Sequence, residues 1–192
     1  MYNEYINKKG WLFVMDYINF ALEFLKRYAL ALTNAIDIIT LKAIVRVIAK
    51  DYNQTITVSS GMTRMVIITK QFVIKMDYGS NSDKWGDCEA EYNFYRFAKE
   101  EGYDYLFARV DKVTVKGKTF YIMPFIDKVG TGSDDIEDYT DGFETLWLHR
   151  HVGDLHYKNF GFNEDGMPII IDYACIYSME HISDEYDDEF SY

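Results

Sequence analysis

Between residues 11 and 51 the apolar positions recur every three or four residues: Leu22, Leu25, Ala29 and Leu32, then Leu41, Ile44, Val45 and Ile48. That is the period of one helix face, so this stretch is predicted as one or two amphipathic helices. Thr33-Asn34 or Thr40 would cap the second. The run from Tyr28 to Ala49 comes nearest to a membrane span. Asp37, Lys42 and Arg46 interrupt it at helical intervals, and a bilayer centre penalises such charges heavily.

At Gln54 the period shortens. Thr55-Ile56-Thr57-Val58, then Ser59-Ser60-Gly61, then Met65-Val66-Ile67-Ile68 read as a hairpin. Gln71 to Met76 is a third strand. A polar loop from Gly79 to Gly86 leads into a helix over about Asp87–Glu101. Val110–Val115 and Thr119–Ile126 make a second hairpin across Lys116-Gly117-Lys118. After a Gly- and Asp-rich loop, Gly142–Arg150 reads as helix. A short hairpin then turns at Asn163-Glu164-Asp165-Gly166, and its second strand is Pro168–Asp172. The stretch Asp184–Glu189 is acidic and expected to fray.

Composition narrows the class. The 192 residues suit one domain, or one with a small appendage. With 48% apolar residues the chain can build a core, which excludes a disordered protein. Twenty basic against 31 acidic residues leave a net charge of −11. General affinity for nucleic-acid backbone or anionic membrane is therefore not expected; a local basic pocket is still compatible with it. Cys88 and Cys175 make neither a disulfide framework nor a zinc spacing. No basic region precedes a short apolar run behind Met1, so no secretory signal is expected. A reducing cytoplasm is the expected location, that of a host if the source is viral.

Four elements carry candidate chemistry, in a fixed order. A lysine, Lys75, ends the strand pattern Phe72-Val73-Ile74. Acidic residues, Glu89 and Glu91, fall on the following helix. Asp154-Leu155-His156-Tyr157-Lys158-Asn159 sets an aspartate five residues before an asparagine. Asp172 ends the apolar run Ile169-Ile170-Ile171 and precedes Tyr173-Ala174. An acid at the end of such a run sits where burial is expected, and a buried carboxylate without partners is costly.

In this order the four elements resemble the protein-kinase-like fold, with its V-x-I-K lysine, helix glutamate, D-x-x-x-x-N loop and D-F-G aspartate. The resemblance covers about residues 54 to 176. It implies a two-lobed α+β architecture: a helical extension over 1–53, a five-stranded antiparallel N-lobe sheet over 54–126, and a strongly reduced C-lobe over 127–192. ATP and Mg²⁺ would be the cofactors, held between upper sheet and reduced lower lobe. Lys75 would pair with phosphate oxygens, and Glu91, with Glu89 as competitor, would hold the lysine in place. Asn159 and Asp172 would supply oxygen ligands to Mg²⁺, a hard cation. Asp154 would accept or orient the proton of the attacking hydroxyl. His156 either steadies the γ-phosphate or packs the loop. Gly61 and Thr63 of the first hairpin would approach phosphate, and Val58, Val66, Ile74, Met123 and Phe125 would enclose the adenine.

Departures from that pattern shape the expected function. Gly61 stands where protein kinases carry three glycines. Val152-Gly153-Asp154 replaces H-R-D, and with Leu155-His156 it is similar to the G-D-L-H of aminoglycoside and choline kinase-like phosphotransferases. Asp172-Tyr173-Ala174 replaces D-F-G, and its missing glycine argues against a flipping activation loop. Only 20 residues follow Asp172, too few for a full C-lobe. The chain thus looks like the minimal atypical kinases of bacteria and their viruses, with a protein hydroxyl as expected acceptor. Two alternatives remain: a small-molecule phosphotransferase, and a pseudokinase-like module that docks its acidic, Tyr-rich surface on a basic protein partner.

Overall fold

Two helices and a sheet share one core. The structure, a computed structural model, describes residues 6–35, 37–60, 64–77, 87–126, 136–153, 155, 158–163 and 165–173. Helix α1 spans Ile6–Leu32 and α2 spans Ile38–Tyr52. The break is capped by Asp37, whose side chain accepts the Thr40 N–H at 2.7 Å; neither Thr33-Asn34 nor Thr40 is the cap. A carboxylate outcompetes the hydroxyl because it accepts two residues beyond the helix start with full charge at the positive helix end. Those hydrogen bonds from Thr40 hold the Asp37 carboxyl below the usual range. Asn53, in the left-handed region at φ 51°, closes α2.

The five-stranded antiparallel sheet is built from β1 (Thr57–Ser60), β2 (Arg64–Ile68), β3 (Phe72–Asp77), β4 (Asp111–Val115) and β5 (Lys118–Pro124). Its order is β1-β2-β3-β5-β4. Helix α3 (Asp87–Glu100) lies between β3 and β4 in the chain. Lys116 and Gly117 turn the β4–β5 hairpin at φ 51° and 78°, a pair of positive angles that matches the strands' right-handed twist. β1 starts two residues later than the alternation suggests.

Register fixes the two sheet faces. Val58, Ile67, Ile74 and Ile122 are cross-strand partners in sequence, so their side chains share a face. That face meets Phe24, Leu25 and Leu32 of α1 and Leu41, Val45 and Ile48 of α2 in one buried core. Ser59, Val66, Lys75, Tyr121 and Lys112 are partners in the neighbouring register and share the opposite face.

The chain divides into two compact units, residues 1–92 with 109–125 and residues 93–108 with 126–192. Both helices and the sheet belong to the first, and the division falls within α3. In the second, α4 (Gly142–His151) is capped by Asp141 in a reciprocal box with Glu144. Trp147 stacks on Tyr103 at 4.5 Å and approaches His151 at 4.7 Å, so His151 packs in an aromatic cluster. A hairpin of β6 (Phe160–Phe162) and β7 (Pro168–Ile170) completes the unit. Among the described residues no helix is long and apolar enough to cross a membrane.

Candidate functional site

Lys75 is the fourth residue of β3, on the sheet face opposite α1 and α2. Its ammonium donates to both oxygens of Glu91 at 2.7 and 2.8 Å. Lys75 is 5% exposed and Glu91 fully buried. Such a pair forgoes the hydration of both charges, and only close, multiple hydrogen bonds offset that. Glu91 takes its place because it is in phase with the buried positions Cys88, Phe94 and Ala98 of α3. The helix therefore turns this carboxylate, and no other acid among its described side chains, to the inside.

A second cation meets the same carboxylate. Arg64, on the face shared with Lys75, donates to Glu91 at 3.2 Å and is itself buried. The sequence suggests only a strand-face cation there. Nothing in its local spacing shows that Arg64 and Asp77 are register partners and so stand beside Lys75. Glu89 has separate partners: Lys112 at 2.7 Å and the Tyr121 hydroxyl, both donating to it. Burial raises the Glu89 pKa, yet those two donors more than offset this and hold it below the usual range. Burial, then the hydrogen bond to Glu89, pushes the Tyr121 hydroxyl up. The choice between Glu91 and Glu89 as lysine partner thus falls on Glu91. Cys88 beside them is buried, and burial followed by the charge of Asp77 pushes its thiol far up, which disfavours the thiolate.

Of the expected adenine contacts, Val66 and Met123 share the Lys75 face, since Val66 pairs with Lys75 and Met123 with Val73. Val58 and Ile74 do not. They belong to the core under α1 and α2, because one residue of register turns a side chain to the other face. Val58 is therefore withdrawn from the site. Phe125 is half-buried, and its N–H already donates to the Gln71 carbonyl at 3.2 Å. Gly61, Thr63, Asp154 and His156 lie outside the described residues.

In the second unit the β6–β7 hairpin brings Asn159 and Asp172 together. The Asn159 carbonyl accepts the N–H of Ile171 at 2.7 Å and of Asp172 at 3.2 Å. The turn is held by Asn163, whose side chain accepts the N–H of Asp165 and of Met167. Gly166 there adopts φ 76°, a conformation costly for other residues. Tyr173 follows, fully buried, and donates its hydroxyl to the Ala108 carbonyl at 2.8 Å. This anchor was not legible from the sequence, where Tyr173 stands only as a substitute for phenylalanine. An amide oxygen and a carboxylate on neighbouring backbone suit a hard divalent cation. Among the described residues no group of three or more His, Cys, Asp or Glu side chains is arranged to hold a metal ion.

No protein-family model matches the chain, and a search of curated proteins finds no relative of it.

Proposed function

We propose that the protein is an ATP- and Mg²⁺-dependent phosphotransferase with a reduced, two-lobed kinase-like architecture, acting on a protein hydroxyl. The observation that carries this reading is the buried Lys75–Glu91 pair joining β3 to α3. In protein kinases a strand lysine paired with a helix glutamate must be in place for transfer. A buried ion pair is a weak stabiliser compared with apolar packing. A requirement for a fixed cation explains its presence among Val66, Val73 and Met123 better than stability does.

In this reading Lys75 pairs with phosphate oxygens while Glu91, held also by Arg64, keeps the lysine from turning away. Asn159 and Asp172 would hold Mg²⁺, which supplies charge neutralisation to the phosphates when bound. Asp154 would take the hydroxyl proton. Catalysis then rests on positioning and charge stabilisation.

Incubating the pure protein with γ-labelled ATP, Mg²⁺ and a bacterial lysate tests it. Label is expected in protein, and its transfer should drop about 10²–10⁴-fold in Asp154→Asn, the range of general-base effects. Label in small molecules alone would favour the small-molecule phosphotransferase. Nucleotide binding without transfer would favour the pseudokinase module.

A further inference from the structure

Helix α2 and the start of β1 enclose a groove of about 490 Å³. Its floor is apolar, formed by Val45 and Ala49 from the helix and Ile56 and Val58 from the strand side. Its helical rim is Lys42, Arg46 and Lys50. These cations stand four residues apart, so successive charges rise by ~6 Å and the whole set by ~12 Å. All three are exposed, and among the described residues none is ion-paired. Asp51, next to Lys50 in the sequence, is engaged by Arg27 and Tyr28. In a chain of net charge −11 this rim reverses the background sign. The strand that borders it is an edge of the sheet, with no neighbour on its outer side among the described residues.

We infer that this groove docks an extended acidic segment of a partner protein. An extended chain returns to the same side every second residue, about 6.8 Å, close to the spacing of the three cations. A segment with acids at alternate positions therefore meets the rim in step. Its backbone passes over the apolar floor, and the unpaired edge of β1 offers hydrogen bonds that only a polypeptide can take up as an added strand. Nucleic acid has no use for the floor or the edge, and the overall charge repels it. A lipid surface does not enter a concave groove. The inference is independent of phosphoryl transfer, and it inverts the expectation that an acidic surface would seek a basic partner.

The test is a fluorescein-labelled peptide of about eight residues alternating Glu and Val, titrated by anisotropy into the full chain at low and high salt; length follows from the rise per strand residue. Saturable binding is expected, weaker at high salt because the pairs are exposed. Lys42→Gln/Arg46→Gln/Lys50→Gln should weaken it by about tenfold or more while shifting the urea midpoint little, since the three residues are exposed. Amide exchange should slow across residues 56–60 when the peptide is bound. Equal binding by the triple variant overturns the proposal, as does equal binding of a Lys/Val peptide. Tighter binding of duplex DNA or phosphatidylserine vesicles, lost in the same variant, overturns it too.

Discussion

Two acids on one helix, Glu89 and Glu91, are separated by what surrounds them. Glu91 is fully buried between two cations, and breaking such an arrangement strands charge in the interior. Glu91→Gln should cost about 3–5 kcal/mol in urea unfolding. Glu89 holds Lys112 at a half-exposed site, where Glu89→Gln should cost no more than about 1 kcal/mol. The two also differ in pH response. Because the folded Glu89 pKa is depressed below 4.5, its contribution is complete above that value and disappears as pH falls through the lower folded pKa. The stability gap between wild type and Glu89→Gln should therefore close on acidification below pH 4.5. A gap that widens there would contradict the clasp. Sequence spacing identifies Lys75 and favours Glu91, because a lysine at a strand end and an acid in a helix are local patterns. It is blind to Arg64, whose meaning depends on register across β2 and β3.

At the scale of elements, caps and turns decide where helices and hairpins stop. The Asp141 side chain accepts the N–H of Phe143 and Glu144 at 2.9 and 2.8 Å, and the Glu144 carboxylate in turn accepts the Asp141 N–H. Asp141→Ala should destabilise the first turn of α4 by about 1 kcal/mol, read as faster amide exchange at residues 143 and 144. Unchanged exchange would show the box to be idle. Most elements are legible within two residues, since their apolar periods are long and their turns carry Gly, Asn or Asp. The hairpin at Asn163–Gly166 and the β4–β5 turn are plain for that reason. The short 3-10 turns at Asp104–Leu106 and Ile136–Asp138 have no such signal, being too brief to show a period. The sheet faces mislead for a different cause: Val58 and Val66 look equivalent in a list of valines, and only the β1–β2 pairing places them on opposite sides.

For the whole molecule, the decisive property is what the native state binds that the unfolded chain cannot. A ligand selective for the folded protein stabilises it by RT ln(1 + [L]/Kd), about 2.7 kcal/mol at a hundredfold excess over Kd. On the proposed phosphotransferase reading, ATP with Mg²⁺ should raise the melting temperature, and each part of the response should follow its own residues. Lys75→Ala removes the cation proposed to meet phosphate, so on that reading its shift should vanish with or without metal. Asp172→Asn keeps the lysine but loses the full charge of the proposed Mg²⁺ ligand, so its shift should lose only the metal-dependent part. Asp154 is proposed to act on the acceptor, so Asp154→Asn should leave the shift intact. Lys75→Ala also unpairs Glu91 in the interior and lowers the melting temperature by itself, so the comparison is between each variant with and without nucleotide. Equal shifts in wild type and Lys75→Ala would separate nucleotide binding from the β3–α3 pair and remove the observation on which the phosphotransferase reading stands.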